Sequence, residues 1–241
     1  MIEAVIFDMD GVLIEAQDWH YDALNRALAL FGYTINRYEH LTTYNGLPTS
    51  KKLNMLSLEQ GLPRELHAFI NEMKQLYTME IIATQCKPRF EHEYALSNLK
   101  ALGYKMAVAS NSIRPTVEIM MQKASLGVYL NEMLSASDVT KPKPDPEIYL
   151  AAARKLNAAP ANCLVVEDNE NGVKAATAAG AHVMVVKDVA EVNLDNILRH
   201  VRKAEGAAAE ATLDDLLARM RAVAPGAAAP VAASARGVAA A

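Results

Sequence analysis

The chain has 241 residues, of which 51% are hydrophobic and 22% charged, and its net charge is −4. These values are typical of a globular protein and argue against nucleic-acid binding, which usually requires a basic surface. The N-terminus has no basic region before an acid at position 3, and no apolar stretch is long enough to span a bilayer. We therefore expect a cytoplasmic protein that binds neither nucleic acid nor membrane.

The first predicted strand, residues 3–8, is short and rich in β-branched and aromatic residues. Residues 15–85, which follow it, contain several helical patterns, including 19–31 and 65–79, and no convincing strand. A connection of this length greatly exceeds the usual loop between a strand and the next element. Residues 15–85 are therefore predicted to form an inserted helical cap.

From residue 86 to residue 204, predicted strands and helices alternate. The strands are at 105–110, about 132–137, 162–167 and 182–187, and the helices are at 91–102, 115–124, 146–156 and 170–179. This alternation predicts a parallel sheet covered by helices on both faces. With residues 1–14, it forms the predicted catalytic core.

The C-terminal part differs in composition from the rest. Residues 205–223 include an amphipathic helical pattern, and residues 224–241 are rich in alanine, with little to bury in a core. We expect a C-terminal helix followed by a flexible tail.

Two pairs of acidic residues follow predicted central strands. Asp8 and Asp10 come directly after the first strand, and Glu167 and Asp168 end another. In an open parallel sheet, ligands bind beyond the carboxyl ends of the strands. Clustered carboxylates favour a hard cation such as Mg²⁺. An alternative is that Asp168 or Asn169 caps the helix that follows, and both roles are compatible.

Two further polar segments follow the other predicted strands. Ser110 and Asn111 offer donors that suit phosphate oxygens, although both residue types are also common helix caps. The segment 141–146 alternates lysine and proline, so it could hold an ammonium in a fixed place or form only a rigid exposed loop. All four loops would open on the same edge of the sheet.

Together these segments resemble the motifs of the haloacid-dehalogenase-like hydrolases. The resemblance covers about residues 1–200, and it rests on Asp8-Met9-Asp10-Gly11-Val12-Leu13, Ser110-Asn111, Lys141-Pro142-Lys143-Pro144-Asp145-Pro146, and Glu167-Asp168-Asn169 with Gly172 and Ala175-Ala176. The chain is similar to the branch that contains phosphoglycolate phosphatase and β-phosphoglucomutase. This implies an α/β fold: a Rossmann-like parallel five-stranded sheet of order 5-4-1-2-3 with an inserted α-helical cap domain.

The resemblance also implies an activity: hydrolysis of a small phosphorylated metabolite, a sugar phosphate or a phosphoglycolate-like compound, through an aspartyl-phosphate. Asp8 would be the nucleophile, and Asp10 would act as the general acid and then as the general base. Ser110 and Asn111 would hydrogen-bond the phosphoryl group, and Lys141 would neutralise its charge.

The same resemblance implies a Mg²⁺ cofactor. Its ligands would be Asp8, the backbone carbonyl of Asp10, Asp168 and Glu167. The expected partner is the small phosphorylated substrate. We expect the protein itself to be a monomer or a homodimer.

Substrate choice is expected to depend on the cap. The candidate cap contacts are His20, Gly46, Thr49 and Lys74. For His20 the alternative is a partly exposed helix residue, and for Lys74 a surface residue. Thr49 stands where the sugar-phosphate mutase has an arginine, which weakens a mutase assignment. Lys51 or Lys52 could supply a charge in place of that arginine, but both are expected to be solvated.

Other functions fit the sequence less well. A β-phosphoglucomutase-like sugar-phosphate mutase is the nearest alternative, and it would need a cap that excludes water. A signalling receiver domain also uses acids and Mg²⁺, but it has no place for a long helical insertion. A dehalogenase would lack the second acid, Asp10, and an inactive binding protein would not need the complete set of acids.

Overall fold

A five-stranded sheet forms the centre of the structure, a computed structural model that describes residues 1–44 and 47–206. Its strands are β1 (Ala4–Phe7), β2 (Lys105–Ala109), β3 (Glu132–Leu134), β4 (Cys163–Glu167) and β5 (His182–Val185). All neighbouring strands are parallel, and their order is β3-β2-β1-β4-β5. Read from the other edge, this is the predicted order 5-4-1-2-3, so the predicted fold class is confirmed.

The register of the two central strands brings two acidic segments together. β1 and β4 are fully buried, as expected for apolar strands at the centre of a parallel sheet. Phe7 pairs with Val166, and the Asp8 amide donates a hydrogen bond to the Val166 carbonyl at 2.9 Å. Asp8 and Glu167 therefore leave the sheet side by side at its carboxyl edge.

A group of helical elements between Gln17 and Gln85, here called the insertion, follows β1 in the chain and precedes α5 (Phe90–Ala101) and β2. It contains α1 (Gln17–Ala29), α2 (Arg37–Glu39), a π-helical turn (His40–Tyr44), α3 (Thr49–Glu59) and α4 (His67–Gln85). These elements share a hydrophobic cluster made of Leu24, Ala27, Leu28, Ile35, Tyr44, Leu53, Leu56, Leu62 and Ile70. The apolar residues of α1 lie on one face because they recur at helical spacing. The insertion thus buries a core of its own.

The remaining helices flank the sheet. They are α5 (Phe90–Ala101), α6 (Arg114–Lys123), α7 (Glu147–Lys155), α8 (Glu170–Ala178) and α9 (Leu194–Ala204). α7 and α8 bury small and aliphatic side chains against the strands, among them those of Ala107, Val165 and Ala176. α9 contacts β4 and β5, and α5 packs against α9.

The third strand is shorter than predicted. It was expected to run to about residue 137, but it ends at Leu134, and Ala136–Asp138 form a 3₁₀ turn. The Ser135 hydroxyl accepts a hydrogen bond from the Ser137 amide, and the Asp138 carboxylate accepts one from the Ser135 amide. This capping arrangement offers the backbone an alternative to the sheet and so ends the strand.

None of the helices in the described ranges is both long and apolar enough to cross a membrane. The C-terminal helix predicted at 205–223 and the tail predicted at 224–241 lie outside the described residues, apart from Glu205 and Gly206.

Candidate active site

A buried lysine contacts Asp8 at the carboxyl end of β1. Lys143 Nζ lies 2.5 Å from Asp8 Oδ1 and 2.7 Å from Glu167 Oε1, and it donates to the Ala109 carbonyl at 2.9 Å. Burial by itself would lower the pKa of Lys143, but the two carboxylates raise it above its ordinary value. The side chain therefore remains an ammonium. It holds a fixed positive charge against Asp8.

The structure contradicts the predicted placement of Lys141 in the site. The Lys141 side chain is 71% exposed, and its ammonium lies 3.8 Å from Asp145 Oδ2. Its backbone amide donates to the Glu147 carboxylate at 2.9 Å, which holds this part of the segment at the surface. The lysine that reaches Asp8 is Lys143, two residues further along the same lysine–proline segment.

Glu167, at the end of β4, is fully buried and held by several donors. It accepts hydrogen bonds from Lys143, from the phenol of Tyr149 and from the backbone amide of Asp168. Burial, followed by the charge of Glu167, raises the pKa of Tyr149 well above its ordinary value, so the phenol remains a neutral donor. Gly172 makes room for this carboxylate, because a Cβ there would lie 1.8 Å from Glu167 Oε1.

Asp168 is positioned by two amide side chains. Its Oδ2 accepts from Gln17 Nε2 at 2.6 Å, and its Oδ1 accepts from Asn169 Nδ2 at 3.1 Å. Burial, and then the charge of Glu167, raises the pKa of Asp168 to about 6. Gly11 has a φ of +89° and approaches so closely that a Cβ would lie 2.2 Å from Asp168 Oδ2. Glycine is therefore required at position 11.

The acids at this edge of the sheet fit a divalent cation. Asp8, Glu167 and Asp168 each offer a carboxylate oxygen, and these oxygens lie within 4.8 Å of one another. Burial raises the pKa of Asp8 well above its ordinary value, and the neighbouring acids add to this while Lys143 opposes it. The cluster thus carries more negative charge than Lys143 offsets, which favours a hard cation with oxygen ligands.

Asp10 connects the sheet to the insertion. Its Oδ2 accepts a hydrogen bond from Ser112 Oγ at 3.0 Å, and its Oδ1 lies 3.2 Å from Nε2 of His20 on α1. On the other side of the imidazole, Lys74 Nζ from α4 lies 3.2 Å from His20 Nδ1. Because an ammonium can only donate, Nδ1 is the accepting nitrogen of a neutral ring, and Nε2 carries the proton that faces Asp10.

The charges along this series are consistent with that tautomer. Burial lowers the pKa of His20, and Lys74 lowers it further although Asp10 raises it. For Asp10, burial would raise the pKa, but His20, Ser112 and Lys74 together lower it below its ordinary value. Burial lowers the pKa of Lys74 to about 8. A carboxylate, a neutral imidazole and an ammonium thus lie in sequence between the sheet and α4.

Ser110 and Asn111 follow β2 and complete the sheet side of the site. The Ser110 hydroxyl oxygen accepts from the Ser112 amide at 3.0 Å, and Asn111 Oδ1 accepts from the Lys143 amide at 3.1 Å. Within the described residues, neither the Ser110 hydroxyl nor the Asn111 amide group donates to a protein acceptor. These donors remain available to a ligand.

Most of the polar side chains described above border one cavity of about 530 Å³ between the sheet edge and the insertion, whereas Glu167 and Tyr149 are not part of its lining. On the sheet side its lining includes Asp8, Asp10, Ser110, Asn111, Lys143 and Asp168. The insertion contributes the predicted candidates His20, Thr49 and Lys74, whereas Gly46 lies outside the described residues. Lys52 also borders the cavity and is only 8% exposed, so the expectation that it is solvated was wrong.

Several side chains of the site were not predicted from the sequence. They are Gln17, Lys52, Ser112, Lys143 and Tyr149. Lys143 lies within the predicted segment 141–146, and Ser112 directly follows the predicted pair Ser110-Asn111, so both are adjacent to residues that the sequence did identify. All three of Gln17, Lys52 and Tyr149 lie on helices, where only the packing of the helix decides which side chains turn towards the site. Gln17 and Lys52 border the cavity, and Tyr149 reaches the site through its hydrogen bond to Glu167.

Known proteins share both the sequence pattern and the fold. The family model of the haloacid dehalogenase-like hydrolases matches residues 5–186. A phosphorylated carbohydrates phosphatase of Thermotoga maritima is 30% identical over 184 residues, which cover 74% of this chain and 82% of that protein. The crystal structure of CbbY from Rhodobacter sphaeroides in complex with phosphate is similar at a TM-score of 0.70, with 26% identity over 77% of this chain and 86% of that one.

A β-phosphoglucomutase from Clostridium difficile has a TM-score of 0.73 and 22% identity over 86% of this chain and 100% of that one, which shows a shared fold. The family model, in contrast, spans most of the chain, including every strand but the first residue of β1. This chain belongs to the haloacid dehalogenase-like hydrolases.

Proposed function

We propose that the protein is a Mg²⁺-dependent phosphatase that hydrolyses a small phosphorylated metabolite, a sugar phosphate or a phosphoglycolate-like compound, with Asp8 as nucleophile. The supporting observation is the setting of Asp8: a buried carboxylate with Lys143 at 2.5 Å, and with Asp10 and Asp168 on the same cavity. The Thermotoga maritima relative is named for phosphatase activity on phosphorylated carbohydrates, which agrees with this proposal.

In the first half of the reaction, a carboxylate oxygen of Asp8 attacks phosphorus, and the bond from phosphorus to the ester oxygen breaks. Asp10 gives that oxygen a proton. Asp10 is anionic in the free enzyme, so it needs a proton before this step. Lys74 can protonate His20 at Nδ1 while the proton on Nε2 moves to Asp10, because Lys74 Nζ and Asp10 Oδ1 each lie 3.2 Å from a ring nitrogen of His20.

In the second half, water attacks the phosphorus of the aspartyl-phosphate, Asp10 takes a proton from that water, and the bond between Asp8 and phosphorus breaks. Lys143 neutralises charge on Asp8 throughout, and the free donors of Ser110 and Asn111 hold the phosphoryl oxygens. The carboxylates of Asp8, Glu167 and Asp168 and the carbonyl of Asp10 would hold Mg²⁺. When bound, Mg²⁺ would offset the negative charge shared by these acids and the phosphoryl group.

Phosphate release from p-nitrophenyl phosphate and a panel of sugar phosphates, with and without Mg²⁺, tests this function. We expect Mg²⁺-dependent release by the wild type, and a loss of roughly 10⁴-fold or more in Asp8→Asn, since the nucleophile is removed. Asp22→Asn, an exposed acid on α1, is the matched control and should keep full activity. Acid-quenched wild type should carry a phosphoryl group on the peptide that contains Asp8. Turnover by Asp8→Asn at the wild-type rate would contradict the assignment.

A β-phosphoglucomutase-like mutase would use the same groups at the sheet edge. Thr49 borders the cavity without a charged side chain, so the structure offers no observation that favours this alternative. Incubation with β-glucose 1-phosphate separates the two, because a mutase yields glucose 6-phosphate and a phosphatase yields free phosphate.

A further inference from the structure

Lys52 is a buried cation on the insertion side of the cavity. It lies on α3 and is 8% exposed, whereas the preceding residue, Lys51, is exposed. In the described part of the chain, the Lys52 ammonium has no hydrogen-bond or ion-pair partner. A buried ammonium without a partner is costly, so the folded protein gains nothing from this charge by itself.

Other basic groups surround Lys52. Burial lowers the pKa of Lys52 to about 8, and Lys74 lowers it further while Asp10 opposes this. Lys52 in turn contributes to the lowered pKa values of His20 and His40, and all of these basic residues border the cavity. With the two histidines neutral, the Lys52 and Lys74 ammonium groups make this wall a region of positive potential, and an anion bound there would be stabilised by both.

The same wall carries polar groups that suit hydroxyls. Asn54, Asn71 and Gln75 border the cavity, and Gln75 Oε1 is buried without a hydrogen-bond partner among the described residues. A cavity of about 530 Å³ is large enough for a sugar-sized ligand and far larger than one phosphoryl group needs. A ligand that fills it would place hydroxyl groups against these amides.

We propose that Lys52 binds a second anionic group of the substrate, so that the enzyme selects polyhydroxylated phosphate esters with a carboxylate or a second phosphate distant from the phosphoryl group that is transferred. This inference rests on the proposed function, because it takes the transferred group to lie at Asp8. The anion would give Lys52 the partner that it lacks in the free protein, and Lys74 would add to the attraction.

Three substrates that differ in the distant group test the proposal: glucose 6-phosphate, 6-phosphogluconate and glucose 1,6-bisphosphate. We expect the wild type to have a kcat/KM at least about 10-fold higher for one of the two charged compounds than for glucose 6-phosphate, the usual scale of a charge-assisted hydrogen bond. Which compound is preferred decides between a carboxylate and a second phosphate. In Lys52→Met this ratio should fall about 10-fold or more, and Lys52→Arg should restore part of it.

Lys51→Met is the matched control, because it removes a neighbouring lysine that is exposed, and its ratio should stay within about twofold of the wild type. Thermal unfolding gives a second readout. Lys52→Met removes an unpaired buried charge, so its melting temperature should equal or exceed that of the wild type. A lower melting temperature with an unchanged substrate ratio would mean that Lys52 is structural and would overturn the proposal.

Failure of the proposed function is separable from failure of this inference. If p-nitrophenyl phosphate is hydrolysed but all three sugar compounds react alike, the phosphatase assignment remains and the anion subsite is refuted. If nothing is hydrolysed, calorimetric binding of the three compounds to the wild type and to Lys52→Met still decides. Tighter binding of a charged compound that is lost in Lys52→Met supports the subsite, and equal binding of all three refutes it.

Discussion

The two walls of the cavity carry opposite charge, and they differ in whether the buried lysine of each wall is paired with carboxylates. On the sheet side, the lysine is fully paired: Lys143 contacts Asp8, Glu167 and the Ala109 carbonyl. On the insertion side, Lys52 is also buried but has no such partner among the described residues. At the sheet edge, the reactive carboxylate of Asp8 is held by an ion pair within the protein. On the insertion side, the Lys52 cation is available to pair with a bound ligand.

The largest effect that this comparison predicts is that of removing the paired lysine. In Lys143→Met we expect phosphatase activity to fall by roughly 10³-fold or more, because the charge beside Asp8 is lost. Folding stability should also fall, by about 3 kcal/mol, since Asp8 and Glu167 would remain buried without their cation. Phosphate release and urea unfolding, followed by the fluorescence of Trp19, measure the two effects.

The neighbouring lysine provides the control for that experiment. Lys141 is 71% exposed, so Lys141→Met should change stability by less than about 0.5 kcal/mol and leave activity close to that of the wild type. A large loss of activity in Lys141→Met, with Lys143→Met active, would restore the original prediction and reject the geometry described above.

A smaller effect is expected when Glu167, which pairs with Lys143 on the sheet side of the cavity, is displaced. In Gly172→Ala, the new Cβ would lie 1.8 Å from Glu167 Oε1, so Glu167 must leave its position against Lys143 and Tyr149. We expect a stability loss of about 2–3 kcal/mol and a clear loss of activity. Gly127→Ala is the control, because its Cβ would meet nothing closer than 3.9 Å, and it should behave like the wild type.

The sheet side was largely predictable because strand order fixes it. Asp8, Ser110 and Asp168 each follow a strand, and parallel strands carry whatever follows them to the same edge. The sequence analysis assigned the charge to Lys141 and not to Lys143, although each precedes a proline in the same segment. That choice depends on a tertiary contact: Glu147 holds the Lys141 backbone at the surface.

The insertion was harder to predict, for a physical reason. Its helices were expected, but the direction of each side chain depends on how the helices pack together. His20 and Lys74 were named as candidates with surface positions as alternatives, and Lys52 was expected in solvent although it is buried. A lysine within a helical pattern usually marks a solvated face, so a buried one can be recognised only from the packed structure.

The smallest effect that we predict concerns acid sensitivity on the insertion side. Burial, and then the charge of Lys52, lowers the pKa of His40 from 6.5 to about 4, so the folded insertion holds this ring neutral. Because the unfolded chain binds a proton near pH 6.5, the stability that His40 contributes is complete above that pH and is lost as the pH falls towards 4. Because solvent in the cavity screens this ring, the loss between pH 6.5 and pH 5 should be about 1 kcal/mol or less.

Urea unfolding at several pH values, followed by the fluorescence of Trp19 on α1, tests this expectation by comparing wild type with His40→Gln. Other buried groups also titrate in this range, so the informative quantity is the difference between the two slopes of stability against pH. The slope should be shallower in His40→Gln, because glutamine takes up no proton. Equal slopes would show that burial and the charge of Lys52 do not keep the His40 ring neutral in the folded protein.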